Sequence, residues 1–160
     1  MRRTFGIGLA VAAFALAVGC GKTSNTTGPV GPGPAAATGI EGGWTLVGLE
    51  AQGEKMPADL FAAMPAGEKA FKATSDKLTH QEGGKDVAIS YKLDPTKTPH
   101  EIVMTKTKSD GKTETIYGIY KLEGDTLTIC GAESDKPADR PKEFKTAKGS
   151  EAVIMTLKKD

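Results

Sequence analysis

The chain has 160 residues, 26% charged, 38% hydrophobic and 6% aromatic, which leaves room for one globular domain once a targeting segment is set aside. Lys and Arg total 21 against 20 Asp and Glu, so there is no basic excess with which to track nucleic-acid phosphates. Twenty Gly and nine Pro interrupt the chain too often for a long helical bundle.

Met1, Arg2 and Arg3 make a short positive start, and residues 4–19 carry no charge. Sixteen uncharged residues diluted by Gly and Ala fall short of the roughly 20 needed to span a bilayer, and they fit a secretory signal peptide. Leu16-Ala17-Val18-Gly19-Cys20 resembles the lipobox of bacterial lipoproteins. That resemblance implies cleavage after Gly19 and acylation of Cys20, and acyl chains on one residue make a stable membrane anchor. Gly21 and Lys22 follow the Cys and no Asp does, which points to the outer membrane or periplasmic face of a cell envelope rather than the inner membrane. Gly21-Lys22-Thr23 is not the end of a phosphate loop, because Leu16 stands where that loop needs Gly. Arg2-Arg3-Thr4-Phe5 matches a twin-arginine export signal only in part, so ordinary export is expected.

Residues 21–39 are dominated by Gly, Pro, Thr, Ser and Ala, with one charge and one bulky apolar side chain, Val30. Such a segment cannot bury enough surface to offset the entropy of ordering it and is expected to be a flexible tether. Its ends would lie roughly 25 Å apart as a coil and about 60 Å apart when stretched. The expected organisation is a signal peptide over 1–19, a lipidated Cys and linker over 20–39, and a β domain over 40–160. Without Arg2 and Arg3, 19 basic residues face 20 acidic ones, so the mature domain is near neutral.

From Ile40 the pattern changes to short apolar runs between turns. Residues 44–50 suggest a strand with Trp44, Leu46 and Gly48 on one face and Thr45, Val47 and Leu49 on the other. Pro57 and Pro65 bracket two helical turns over 57–64. Weak strands follow at 69–74 and 77–81, then a Gly83-Gly84 turn. Val87, Ile89, Tyr91 and Leu93 alternate with polar or small residues as a half-buried strand does. Ile102, Val103 and Met104 mark a strand over 101–108, and Asp110-Gly111 a hairpin turn. Lys106, Lys108 and Lys112 near that hairpin read as a solvated edge.

The strand over 114–122 places Ile116, Gly118, Tyr120 and Leu122 on one face and Tyr117 and Ile119 on the other, so both its faces are expected to be covered. Strands over 126–130 and 151–158 flank a polar segment with Pro137 and Pro141. Seven or eight short strands in about 120 residues predict an all-β fold, a small antiparallel barrel or sandwich. Ile89, Tyr120, Leu127 and Met155 are expected in one core, and Trp44, Tyr91, Tyr120, Phe144 and Met155 as inward residues large enough to fill a barrel.

Residues 40–160 resemble the lipocalin-like conserved hypothetical domain family abundant in planctomycete bacteria. The likeness rests on Ile40-Glu41-Gly42-Gly43-Trp44, on Tyr91-Lys92-Leu93-Asp94-Pro95 with Pro99, and on Gly118-Ile119-Tyr120 with Leu122. Gly124-Asp125-Thr126-Leu127 with Ile129-Cys130, then Arg140-Pro141 with Phe144 and Gly149-Ser150, complete it. The resemblance implies a lipocalin-like fold and carries no biochemical activity; residues 51–86 match it least. Gly42-x-Trp44 is also similar to the signature of true lipocalins, in which Trp plugs one barrel end beneath an Arg. Arg140, the only Arg after Arg3, is the candidate to pack over Trp44; it could instead bond loop carbonyls beside Pro141.

Cys130 reads as a buried free thiol, because an acylated Cys20 cannot pair with it. His80 and His100, with Glu82 and Glu101, lack metal-ligand spacing, and no catalytic motif or cofactor motif is visible. The sequence therefore predicts a non-enzymatic, envelope-anchored module binding a small apolar ligand or peptide. The alternative is a structural or protein-interaction domain with a filled core and no pocket.

Overall fold

The computed structural model describes residues 39–108 and 111–160. The signal peptide, Cys20, the tether as far as residue 38 and Asp110 of the expected turn lie outside the described residues. Alternating apolar residues organise the rest into strands β1 (Gly42–Ala51), β2 (Glu54–Lys55), β3 (Ala70–Ala73), β4 (Lys77–Glu82), β5 (Lys85–Asp94), β6 (His100–Thr107), β7 (Thr113–Glu123), β8 (Thr126–Glu133) and β9 (Val153–Lys159). Two short helices, α1 (Ala58–Ala63) and α2 (Ala66–Lys69), sit between β2 and β3.

All pairings are antiparallel. Pairing of β1 with β9 closes β1 and β3–β9 into an eight-stranded barrel, and β2 is an extra strand on the end of β1. Closure pairs most of the edges that an open sheet would expose, except between the β3 side of Leu46–Leu49 and the end of β4.

Register corrects the first strand. Leu46 pairs with Leu157 and Gly48 with Thr156, so Val47 is an extra, bulged residue. A bulge reverses the alternation beyond it. Leu49 therefore pairs with Met155 and shares its face, whereas Gly48 and Glu50 pair with Thr156 and Ile154 on the other. Strict alternation would have placed Leu49 outside.

One continuous core fills the barrel. It contains Trp44, Leu46, Phe71, Leu78, Ile89, Tyr91, Ile102, Met104, Tyr120, Leu127, Ile129 and Leu157, with Met155, Leu93 and Leu122 packed against it. Ile89, Tyr120 and Leu127 are buried there as expected, and Met155 joins from a half-buried position. Gly118 and Gly131 pair directly. A Cβ on Gly118 would lie 2.8 Å from the Cys130 carbonyl oxygen and 3.1 Å from Ile102 Cγ2, so the wall packs there on bare backbone.

A second, smaller cluster lies outside the barrel, where Ile119, Cys130 and Ala152 are buried with Phe144 and Ile154 against them. Phe144 thus packs on the outer wall and does not fill the barrel. The strap that carries it, residues 134–152, covers the second face of β7 and supplies the coverage that its sequence requires.

Candidate functional site

At the end where β1 begins, the Trp44 ring is buried and its Nε1 donates to the Ile40 carbonyl at 2.7 Å. Ile40 is itself fully buried in the core, so the chain just before β1 is tucked against the barrel end. The cation over Trp44 is Lys159, 5.6 Å from the ring centroid. Asp160 closes the same corner by accepting from Thr45 Oγ1 at 2.7 Å.

Arg140 has other partners, which corrects the expected pair with Trp44. It pairs with Glu101 and lies 5.6 Å from the Tyr117 ring centroid. Glu101 and Tyr117 belong to the outward alternation of β6 and β7, whereas Trp44 points inward, so the barrel wall separates the two residues. Arg140 pins the strap to the outer wall. Thr146 pins it farther on, donating to Glu50 Oε1 at 2.6 Å and accepting from the Gly53 amide at 2.9 Å. Beneath the strap, the Cys130 thiol points to the Glu143 carbonyl, and burial pushes its pKa up. That setting suits a structural thiol and not a nucleophile.

The opposite end carries the turns after β4 and β6. Inward positions there are charged. Lys106 Nζ donates to Glu82 at 2.6 and 2.8 Å, and His80 Nε2 lies 3.1 Å from the same carboxylate. The Lys106 hydrogen bond holds the Glu82 pKa below its ordinary value. Lys108 bridges Glu114 at 3.2 Å and Glu133 at 3.5 Å. A hydrogen bond between these two carboxyls lowers the Glu114 pKa and raises that of Glu133. The two lysines are therefore ion-paired across the barrel end and do not simply solvate an edge.

His80 stacks on Phe71 with centroids 4.8 Å apart, and His100 lies at the other end beside Tyr120. Among the described residues, no group of three or more His, Cys, Asp or Glu is placed to hold a metal ion.

A largely apolar concavity lies beside α1. Val47, Leu49, Met56, Phe61 and Ile154 line a hollow of about 470 Å³, open on one side, with Glu50 and Lys55 also lining it. The bulge exposes Val47 (47%), and α1 leaves Leu60 59% exposed nearby, although both are large apolar residues. Pro57 and Pro65 precede the first residues of α1 and α2, where a missing amide costs nothing. Phe61 has two roles: it lines the hollow and packs on the barrel core.

Sequence reasoning missed this hollow, because it depends on the bulge at Val47 and on where α1 folds back. The charged end had a legible signal. Lys106 follows the inward Met104 by two residues, and Glu114 precedes the inward Ile116 by two. No family model, no curated protein and no solved structure matches the chain.

Proposed function

We propose that the protein is a non-enzymatic binding module, held in the cell envelope by a lipid on Cys20, that takes up a small apolar ligand in the hollow beside α1. The observation that carries this reading is the position of the hollow. It gathers Val47, Leu49, Met56, Phe61 and Ile154 at the surface, while the barrel axis is occupied by large side chains such as Trp44, Phe71 and Tyr120. Apolar concavities with a few polar groups at the rim are where small ligands bind. The lipobox resemblance and the likeness of residues 40–160 to the lipocalin-like planctomycete domain support the anchored setting and the barrel. The filled axis also favours a second reading, an envelope interaction domain without a ligand.

Titration with N-phenyl-1-naphthylamine, an uncharged apolar fluorophore, separates the two. Saturable binding by the purified full chain, weakened at least about 10-fold by Val47→Asp, is the expected result, since a buried charge opposes an apolar ligand. Absence of saturable binding, with no ligand retained in native mass spectrometry, would leave the interaction domain as the better account. For the anchor, mass spectrometry should find an acylated N-terminal Cys20, and a Cys20→Ser protein should leave the membrane fraction.

A further inference from the structure

The barrel wall has a side gap. On its β3 side, β1 pairs through Thr45 and next pairs at Glu50 with β2; among the described residues, no strand pairs with Leu46 to Leu49 on that side. The seam between β3 and β4 consists of two residue pairs, Lys72 with Thr79 and Ala73 with Leu78. Residues 80–82 of β4 are paired with β5 and have no strand across the gap.

Residues 56–69 close this gap. Their hold is light. Neither helix contains a buried residue or a side-chain N-cap. Only Phe61 and Met64, both half-buried, reach the core. Among the described residues, hydrogen bonds tie the segment to the barrel from the Met56 amide to the Leu49 carbonyl at 2.8 Å and from the Gly83 amide to Glu68 Oε1 at 3.1 Å, and Gly67 of α2 rests on the Gln81 side chain of β4. Segments with few buried apolar contacts and exposed hydrogen bonds open before the rest of a domain does.

We propose that residues 56–69 form a lid over this gap and that the ligand is a chain-like apolar molecule, one end in the outer hollow and the other in the space that Phe61 and Met64 vacate when the lid lifts. The inference rests on the ligand reading above and names its class. Phe61 joins the two spaces, because the same ring walls the hollow and plugs the gap. Compact ligands fill the hollow alone, whereas an alkyl chain gains contact with the core through the opening.

The structure supplies a lock. A Cβ on Gly67 would lie 3.6 Å from Gln81 Cβ, within the range of a disulfide. Gly67→Cys with Gln81→Cys, in the full chain, ties the lid to β4 when oxidised and frees it when reduced. The probes are straight-chain alcohols from hexanol to dodecanol. In wild-type and reduced protein, affinity should rise about 3- to 4-fold for each added methylene along the series. In oxidised protein the rise should stop at the shorter members, so dodecanol loses at least about 10-fold on oxidation and recovers on reduction. An equal rise in both redox states would overturn the lid while leaving the hollow as the ligand site.

Hydrogen exchange judges the lid independently of any ligand. Amides of residues 56–69 in wild type should exchange at least about 100-fold faster than those of β7 and β8. Equal protection would overturn the lid. If exchange is fast there and no alcohol binds in either state, the failure belongs to the ligand reading and overturns the ligand class with it.

Discussion

Leu127 is fully buried between β7 and β9, where it pairs with Leu122 and Leu157. Its side chain has no route to solvent, so Leu127→Ala should cost about 2–5 kcal/mol in chemical denaturation. A cost under about 0.5 kcal/mol would place the residue at the surface. Gly118 is the converse case, where the backbone itself is the packing surface. An added methyl meets the Cys130 carbonyl oxygen at 2.8 Å, an atom fixed in the ladder, so Gly118→Ala should destabilise by about 1–3 kcal/mol even though alanine suits a strand better than glycine does. Arg140 pairs with Glu101 and both side chains are mostly shielded, at 17% and 29% exposure. A double-mutant cycle of Arg140→Lys and Glu101→Gln should return a coupling of about 0.5–3 kcal/mol. The same cycle run with Trp44→Phe should be additive, because Arg140 and Trp44 lie on opposite faces of the wall.

Among the elements, the strands with clean alternation were legible from the chain. The expected strands over 87–93, 114–122 and 126–130 all fall within β5, β7 and β8, and the two-sided apolar pattern of β7 anticipated the cover that the strap provides. Within residues 51–86 the helical turns over 57–64, the strands over 69–74 and 77–81 and the Gly83-Gly84 turn were anticipated, and β2 and α2 were not, for a physical reason. β2 is two residues long, too short to establish a period, and α2 is four residues long, too short to be helical on propensity alone. The Val47 bulge was invisible because one extra residue leaves composition unchanged and only reverses the alternation. The strap is held by Phe144 and a handful of polar contacts, so Phe144→Ala should raise the rate at which an uncharged thiol reagent labels Cys130 by at least about 10-fold. The charged barrel end should show in the pH dependence of stability. Glu82 has a folded pKa below its ordinary value, so its stabilising contribution is present above the unfolded value and is lost as pH falls through the folded one. Thermal melts should therefore show the advantage of wild type over Glu82→Gln shrinking between about pH 5 and pH 3.

For the whole molecule, the pieces divide labour. The Trp44 end tucks the incoming chain against a filled barrel, the strap seals the outer wall, and the wall is incomplete only where residues 56–69 lie. Binding at the hollow beside α1, outside the filled axis, is the central claim of this account. Methyl chemical-shift mapping with N-phenyl-1-naphthylamine tests it most directly. The account predicts saturating shifts at Val47, Leu49, Met56 and Ile154, with Leu127 and Ile129 unmoved. Shifts centred on Leu127 and Ile129, or no saturable shift at Val47 and Ile154, would contradict it.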